Sequence, residues 1–287
     1  RLGMPLIETV TYPDMTCPDE VKEVADYIRF LNRSTGKVRT GIGAGRQDVN
    51  VSCKGGTRIE IKGVSHNKWI PELTHNEAFR QWALLHLRDE LLKVVPNTTD
   101  WKIESLEINP QFFDFIYNPI NEALAKGQKL MAVKLPYFRG ALSHFTQPER
   151  CLAHEISERL KVIACLEQPN MTFDEDWNEP VSSAIYEKIY KLLNVNEQDA
   201  VILFWAPTDD IPTALDTIQE RCLMAFKGVP NETRKALENG TTIFERVLPG
   251  ADRMYPDTDS APIPLTSEYL ENIAQKLPVP LNKRFQQ

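Results

Sequence analysis

The chain has 287 residues, 42% of them hydrophobic and 25% charged, and its formal net charge is −7. Such a composition can bury one or two folded cores, and it excludes a disordered chain and a coiled coil. The longest apolar run, residues 200–206, is far too short to cross a bilayer, so the sequence indicates no membrane association.

Three elements are predicted in the first hundred residues. A helix is predicted for residues 18–33, because Pro18 suits a first helical turn and the apolar residues fall on one face. A β-hairpin is predicted for residues 48–62, because apolar and polar residues alternate along both arms. A long helix is predicted for residues 76–93, and the sequence Pro-Asn-Thr-Thr at 96–99 ends it.

Residues 105–240 have a different pattern, since predicted helices alternate there with short buried strands. This alternation predicts an α/β layer arrangement. Proline is frequent in residues 241–287, where we predict irregular backbone and one short helix near 267–276. The strands predicted in the middle stretch are 131–133 and 201–204, and the helices are 150–161, 180–193 and 211–226.

Charge is distributed unevenly along the chain. Residues 33–68 contain eight basic and two acidic side chains, a net charge of +6, so the remainder carries −13. A local basic patch on an acidic protein suits a phosphate-bearing ligand such as a nucleotide or RNA. An ordinary solvent-exposed basic face is the alternative interpretation.

The five cysteines are odd in number, widely spaced and without a C-x-x-C pair. This usage is typical of buried thiols in a reducing compartment, and it argues against a disulfide framework and against a zinc site. We therefore expect a cytoplasmic protein.

The predicted hairpin carries an unusual set of polar residues. With a three-residue loop at 54–56, Asp48 lies opposite Lys62 and Asn50 lies opposite Glu60, and all four side chains share one face. A two-residue loop would place Asn50 opposite an isoleucine and mix the two faces, so we prefer the first register. The resulting face is either a ligand site or a solvated surface with cross-strand ion pairs.

A glycine-rich segment, residues 41–45, precedes the hairpin and leads into Arg46. Glycine lets a backbone approach a phosphate closely. The segment matches neither the P-loop nor the dinucleotide-binding pattern, so by itself it is a weak indication of phosphate binding.

Several motifs, in order, resemble a known family. PLIETVTYPD at 5–14, GRQDVNVS at 45–52, RIEIKGV at 58–64 and RMYPDTD at 253–259 resemble the cradle domain of the B-type and E-type subunits of glutamyl-tRNA(Gln) amidotransferases. Between them, LPYFRGAL and GVPNETRKALENGTT (228–242) resemble the GAD insertion domain that the E-type subunits share with bacterial-type aspartyl-tRNA synthetases. An insertion that interrupts the cradle favours the E type over the B type.

The resemblance implies a mixed α+β and α/β fold. In such a fold a GAD-type α/β insertion domain interrupts a cradle domain made of an antiparallel sheet and helices. We expect residues 1–104 to form the carboxy-terminal part of the cradle and residues 105–240 to form the insertion. Residues 241–287 are then expected to return to the cradle and to begin a linker.

The resemblance also implies a reaction. Enzymes of this family transfer the γ-phosphoryl group of ATP to the side-chain carboxylate of glutamyl-tRNA(Gln), and ammonia then displaces phosphate to give glutaminyl-tRNA(Gln). Phosphoryl transfer needs a metal ion, here Mg²⁺, and cations that neutralise charge on the moving group. The expected partners are glutamyl-tRNA and an asparaginase-like protein of the D type that supplies ammonia.

Candidate site residues follow from the matched motifs and from this chemistry. Glu8 of the PLIE motif matches a metal-binding glutamate of the family, and Asp48 is expected to be a second metal ligand. Glu60, as a ligand of metal or water, and Lys62, as a partner of phosphate oxygens, are the expected catalytic residues. The expected nucleotide-binding residues are Arg46, Asn50 and Arg253.

The sequence also departs from the family pattern. A histidine and an acidic run of the family's kinase site lie upstream of the PLIE motif, and the carboxy-terminal domains that hold tRNA follow the cradle. Because the sequence starts at Arg1 and contains neither, we expect a piece of a longer protein that is inactive alone. The insertion also has CLEQPNMTFDEDW at 165–177 where the family has an H-S-D-E-L-P-like stretch.

Two other classes of protein remain open at this point. One is a non-catalytic module that binds tRNA or protein through the insertion, although a charge of −13 outside residues 33–68 disfavours RNA binding by charge alone. The other is a relative of aspartyl-tRNA synthetase, although the sequence contains none of the class II synthetase motifs.

Overall fold

The computed structural model describes residues 6–41, 43–247 and 262–284. Helices and strands alternate in this part of the chain, which confirms the predicted mixture of α and β structure. The chain divides into two compact units, Arg1–Leu248 and Pro249–Gln287. The helices are α1 (Pro18–Ser34), α2 (Ile70–Val94), α3 (Asn118–Ala125), α4 (Leu152–Ile163), α5 (Ser183–Leu193), α6 (Ile211–Ala225), α7 (Ser267–Ala274) and α8 (Leu281–Arg284).

The strands of the described residues pair into two four-stranded sheets and one two-stranded sheet. Those predicted at 131–133 and 201–204 are confirmed, and each is longer than predicted. The strands are β1 (Val49–Val51), β2 (Ile59–Lys62), β3 (Glu104–Ile108), β4 (Lys129–Leu135), β5 (Phe145–Gln147), β6 (Arg150–Cys151), β7 (Met171–Phe173), β8 (Ala200–Ala206), β9 (Glu232–Ala236) and β10 (Thr242–Val247).

The first sheet joins strands that are far apart in the sequence. Its order is β1-β2-β9-β10, with antiparallel outer pairs and a parallel pair, β2–β9, at the centre. The sheet is therefore mixed, whereas the sequence predicted an antiparallel cradle sheet. Thr233 of β9 lies beside Glu60 of β2. The motif at 228–242 assigned β9 to the insertion, but β9 pairs with β2 of the cradle. We therefore propose that the insertion ends before β9, at about residue 231.

The second sheet has the order β3-β4-β8-β7, and all its neighbouring strands are antiparallel. The α/β arrangement predicted for this stretch is therefore wrong in strand direction, because an antiparallel sheet with helices is an α+β layer. A run of apolar residues in the sequence indicates that a strand is buried, but it does not indicate whether the strand is parallel or antiparallel to its neighbours. Thus β8, whose residues are all buried, has the continuous apolar sequence that is also typical of a parallel strand.

Two hydrophobic cores hold the first unit together, and β8 contributes to both. Ile202 and Phe204 pack into a core that includes α2, α4, α6 and the hairpin, while Val201 and Leu203 pack into a second core with α3 and α5. The first core crosses the predicted boundary at 104/105, whereas the second lies wholly within residues 108–205. Whether residues 105–240 fold as a separate domain stays a prediction.

The second unit contains the short helix that was predicted near 267–276. The hydroxyl of Thr266 accepts a 3.2 Å hydrogen bond from the backbone of Tyr269 and thereby caps α7. None of the described helices, in either unit, is long and apolar enough to span a membrane.

Candidate functional site

The β1–β2 hairpin forms in the predicted register. Asn50 of β1 lies opposite Glu60 of β2. The apolar side chains of both strands are buried on the core side of the sheet. On the other side Asn50 is exposed, and the side chains of Asp48, Glu60 and Lys62 are about one quarter exposed. We call these four residues the polar face.

The regular part of the hairpin is shorter than predicted because the side chain of Gln81 on α2 forms hydrogen bonds with two backbone groups of the hairpin. The side-chain amide of Gln81 donates to the carbonyl of Val51 at 3.0 Å and accepts from the amide of Cys53 at 3.0 Å. These bonds replace the next cross-strand pair, so β1 ends at Val51 and residues 52–58 form the loop. Gln81 is fully buried and therefore fixes the end of the hairpin against α2.

Lys62 lies between the two carboxylates of the polar face. Its Nζ is 3.6 Å from Oδ2 of Asp48 and 3.5 Å from Oε1 of Glu60. The second oxygen of Asp48, Oδ1, is shielded from solvent and has no hydrogen-bond partner among the described residues. A shielded carboxylate oxygen without a donor is costly, so this arrangement favours a further cation at Asp48.

The other predicted site residues are Arg46, Glu8 and Arg253. Arg46 is exposed just before the hairpin and makes no ion pair with a described residue. Glu8 lies in an exposed segment, in which Leu6 is 87% exposed, and it has no hydrogen bond or ion pair to the polar face in the described part of the chain. Arg253 lies outside the described residues. The structure therefore brings together Asp48, Asn50, Glu60 and Lys62.

No group of three histidine, cysteine, aspartate or glutamate side chains within residues 6–41, 43–247 and 262–284 is arranged to hold a metal ion. The polar face offers two carboxylates, Asp48 and Glu60. Mg²⁺ is commonly held by one or two carboxylates, with water and substrate phosphates as the remaining ligands. The orphaned Oδ1 of Asp48 and this oxygen donor set fit a magnesium ion.

Comparison with known proteins shows which family the chain belongs to. Residues 1–271 match the model of the GatB/GatE catalytic domain. The chain belongs to the GatB/GatE catalytic domain family. This result confirms the resemblance drawn from the PLIE, RQDVNVS and EIKGV motifs.

Curated relatives in the GatB/GatE family are, by name, E-type subunits of glutamyl-tRNA(Gln) amidotransferases. The protein from Pyrococcus furiosus is 42% identical over 279 residues, which are 97% of this chain and 44% of the relative. The protein from Methanocaldococcus jannaschii is 40% identical over 287 residues, which are 100% of this chain and 45% of the relative. The chain thus spans less than half the length of the relatives it matches.

A cluster of buried ion pairs lies on the core side of the site-bearing sheet in this GatB/GatE domain. Four buried carboxylates meet four buried guanidinium groups, and the partly exposed guanidinium of Arg150 also pairs with Glu158. Arg80 donates to Glu155 at 2.6 Å, and Arg234 donates to Glu232 at 2.6 Å. We call this cluster the buried ion network, and its members are Glu77, Arg80, Glu155, Glu158, Arg159, Arg221, Glu232 and Arg234.

The arginines of the network determine which of its acids stay ionised. Burial raises the pKa of Glu155, but Arg80 and Arg221 outweigh it and hold that pKa well below its ordinary value. Glu77 differs, because burial outweighs the attraction of Arg80 and raises its pKa. One oxygen of Glu77, Oε2, has no hydrogen-bond partner among the described residues. Glu155 is therefore a firmly ionised centre, and Glu77 is poorly compensated.

None of the network residues is among the predicted site residues, although the sequence of α2 contains an indication of them. Glu77 and Arg80 lie three residues apart, between Leu73 and Leu84, at the spacing that puts side chains on one helix face. Charged residues inside an apolar stripe indicate buried partners. Their partners on α4, α6 and β9 are far away in the sequence and leave no local pattern.

Proposed function

We propose that this chain is part of a tRNA-dependent amidotransferase that uses ATP to convert glutamyl-tRNA(Gln) into glutaminyl-tRNA(Gln). Membership of the GatB/GatE family and about 40% identity to E-type subunits of these amidotransferases support the reaction class. The observation that carries the site is Lys62, held between Asp48 and Glu60 on the face that also presents Asn50. The insertion is proposed to be a GAD domain.

The chemistry requires two successive substitutions. The glutamate carboxylate of the tRNA attacks the γ-phosphorus of ATP, and the bond to the β-phosphate oxygen breaks to release ADP. Ammonia then attacks the carbonyl carbon of the resulting acyl phosphate, and phosphate leaves with the bonding electrons while one proton is lost from nitrogen. The proposed partners are glutamyl-tRNA and a separate ammonia-supplying protein of the asparaginase-like D type.

Each residue of the polar face has a proposed part in these steps. Lys62 neutralises the moving phosphoryl group, and Glu60 would hold the metal ion or a water molecule beside that group. Asp48 and Glu8 would hold Mg²⁺, which supplies charge compensation on the phosphates when bound. Asn50 and Arg46 are proposed to bind the nucleotide, Arg46 through phosphate oxygens.

The test is glutaminyl-tRNA formation by the full-length protein with its partner, supplied with glutamyl-tRNA, ATP and ammonium. We expect Glu60→Gln to lower the rate on the order of 10²- to 10⁴-fold, because a weakened metal site loses several kcal/mol of transition-state stabilisation, while the melting temperature stays unchanged. The matched control is Glu187→Gln on the exposed side of α5, which should leave the rate unchanged. Equal rates for the wild type and Glu60→Gln would overturn the assignment.

A further inference from the structure

The polar face continues onto two strands that the site motifs do not include. In the parallel pairing of β2 and β9, Thr233 lies beside Glu60 and Lys235 lies beside Lys62. The Thr233 hydroxyl is 3.5 Å from Oε2 of Glu60, so the two side chains point to the same side of the sheet. Lys235 is two residues further along β9 and therefore shares this side.

A β-bulge brings Arg246 of β10 to the same side. Phe244 pairs with Arg234, but Arg246 pairs with Thr233, so β10 advances two residues where β9 advances one. Without the extra residue, Glu245, Arg246 would share the buried side of Phe244. The bulge reverses that alternation and aims Arg246 outward beside Thr233.

Lys235 and Arg246 have the properties of ligand-binding cations. Both are exposed, and neither forms an ion pair with another described residue. Neighbouring strands are about 4.8 Å apart, so the row from Asn50 to Arg246 spans roughly 14 Å. One shielded carboxylate oxygen next to β1, Oδ1 of Asp48, has no hydrogen-bond partner among the described residues. Cations without ion pairs on the same sheet as such a carboxylate suit a metal-bound polyphosphate, since the metal takes the carboxylate and the cations take phosphate oxygens.

We propose that Lys235 and Arg246 bind the phosphate chain of the nucleotide, on the side of the polar face away from β1. This inference rests on the proposed function, because it assigns the ATP site of that reaction to strands on both sides of the insertion. A nucleotide is favoured over RNA because the patch is only four strands wide and lies beside acids. An RNA backbone would need a longer run of cations.

The experiment measures the dissociation constants of Mg·ATP, AMP and the tRNA by calorimetry on the full-length protein with its partner. We expect Lys235→Met and Arg246→Met each to weaken Mg·ATP binding on the order of 10- to 100-fold, the effect of losing hydrogen bonds to a charged group. AMP, which lacks the β- and γ-phosphates, should bind these variants and the wild type equally. Lys235→Arg should retain most of the affinity, and the matched control Lys188→Met, at an exposed position of α5, should retain all of it.

Unchanged Mg·ATP affinity in both methionine variants would overturn the inference and leave the proposed function standing, provided that the wild type binds ATP. Loss of tRNA affinity alone would also overturn it, since the cations would then serve RNA. A wild-type complex that neither binds ATP nor forms glutaminyl-tRNA would overturn the inference and the proposed function together.

Discussion

Arg80 of α2 donates a 2.7 Å hydrogen bond to Glu232 of β9, and both side chains are completely buried. The same guanidinium reaches Glu155 of α4 at 2.6 Å. A planar group with five donors can satisfy several carboxylates in fixed directions, which an ammonium group does less well. Arg80 therefore fixes β9 relative to two helices, while Thr233, the next residue of β9, lies beside Glu60 on the opposite side of the sheet.

Replacing Arg80 by methionine should strongly destabilise the protein. The substitution keeps the length of the side chain but leaves Glu155 and Glu232 buried with one cation fewer. Removal of one partner from a buried ion pair typically costs about 3–5 kcal/mol. Urea unfolding followed by circular dichroism measures the loss. Lys93→Met on the same helix is the control: Lys93 is 66% exposed and forms a surface ion pair with Glu90, so its loss should be hard to detect. Similar losses in both variants would contradict this account.

Two glutamates of the network should respond oppositely to pH when each is changed to glutamine. Burial raises the pKa of Glu155, but Arg80 and Arg221 outweigh burial and hold this pKa well below 4.5. The stability that the ionised carboxylate contributes is therefore complete above the pKa of the unfolded state, and it is lost as the pH falls through the pKa of the folded state. Glu155→Gln should therefore be destabilising at pH 7, and its deficit should shrink below about pH 4. The measurement is the free energy of unfolding between pH 3 and 8.

Glu77→Gln should show the reverse trend. Burial raises the pKa of Glu77 above 4.5, so ionisation of this carboxyl weakens the wild-type fold as pH rises. The stability of Glu77→Gln relative to the wild type should then increase between pH 4 and 7. The same change from glutamate to glutamine destabilises the protein when it is made at Glu155. Parallel pH curves for the two variants would show that the arginines do not distinguish these acids.

Glu8→Gln should abolish ATP-dependent amidation in the complete enzyme and leave tRNA binding intact. Glutamine keeps the shape of glutamate but removes the charge that a magnesium ligand needs. We expect a loss on the order of 10²- to 10⁴-fold in rate, since a weakened metal clamp costs several kcal/mol of transition-state stabilisation. Binding of tRNA depends mainly on phosphate contacts, which one removed acid does not weaken. An undiminished rate of glutaminyl-tRNA formation would mean that Glu8 is structural.

The middle of the chain should fold when it is excised as residues 97–230. The second sheet and the second core lie wholly within these bounds. The excised piece keeps the Glu155–Arg221 pair at 2.7 Å but loses Arg80 and Glu232, so we expect cooperative unfolding at a lower temperature than in the intact chain. Absence of a cooperative transition in calorimetry would show that the first core is indispensable and that the domain division is wrong.

Local patterns in the sequence predicted the hairpin well, because a two-residue period fixes which side each residue faces. The same reasoning placed the start of α2 at 76, whereas it begins at Ile70, after a turn at Asn67–Trp69 and with Pro71 in its first turn. Prediction from the sequence failed where the paired residues are far apart in the chain. Nothing in the sequence near Thr233 indicates that it lies beside Glu60, so the site that we propose on β9 and β10 could be inferred only from the fold.

The pairing of Glu60 with Thr233 joins residues that are 173 positions apart, and this separation constrains how the protein folds. Closing a flexible loop of that length costs about 3–4 kcal/mol of chain entropy more than closing a tight turn. Contacts of such long range form late and slow folding. Prior folding of the second sheet would bring its two ends together and shorten the effective loop. During synthesis the continuation of the polar face onto β9 and β10 is therefore missing until these strands have left the ribosome. A nascent chain truncated before residue 232 contains the family's hairpin motifs without that continuation.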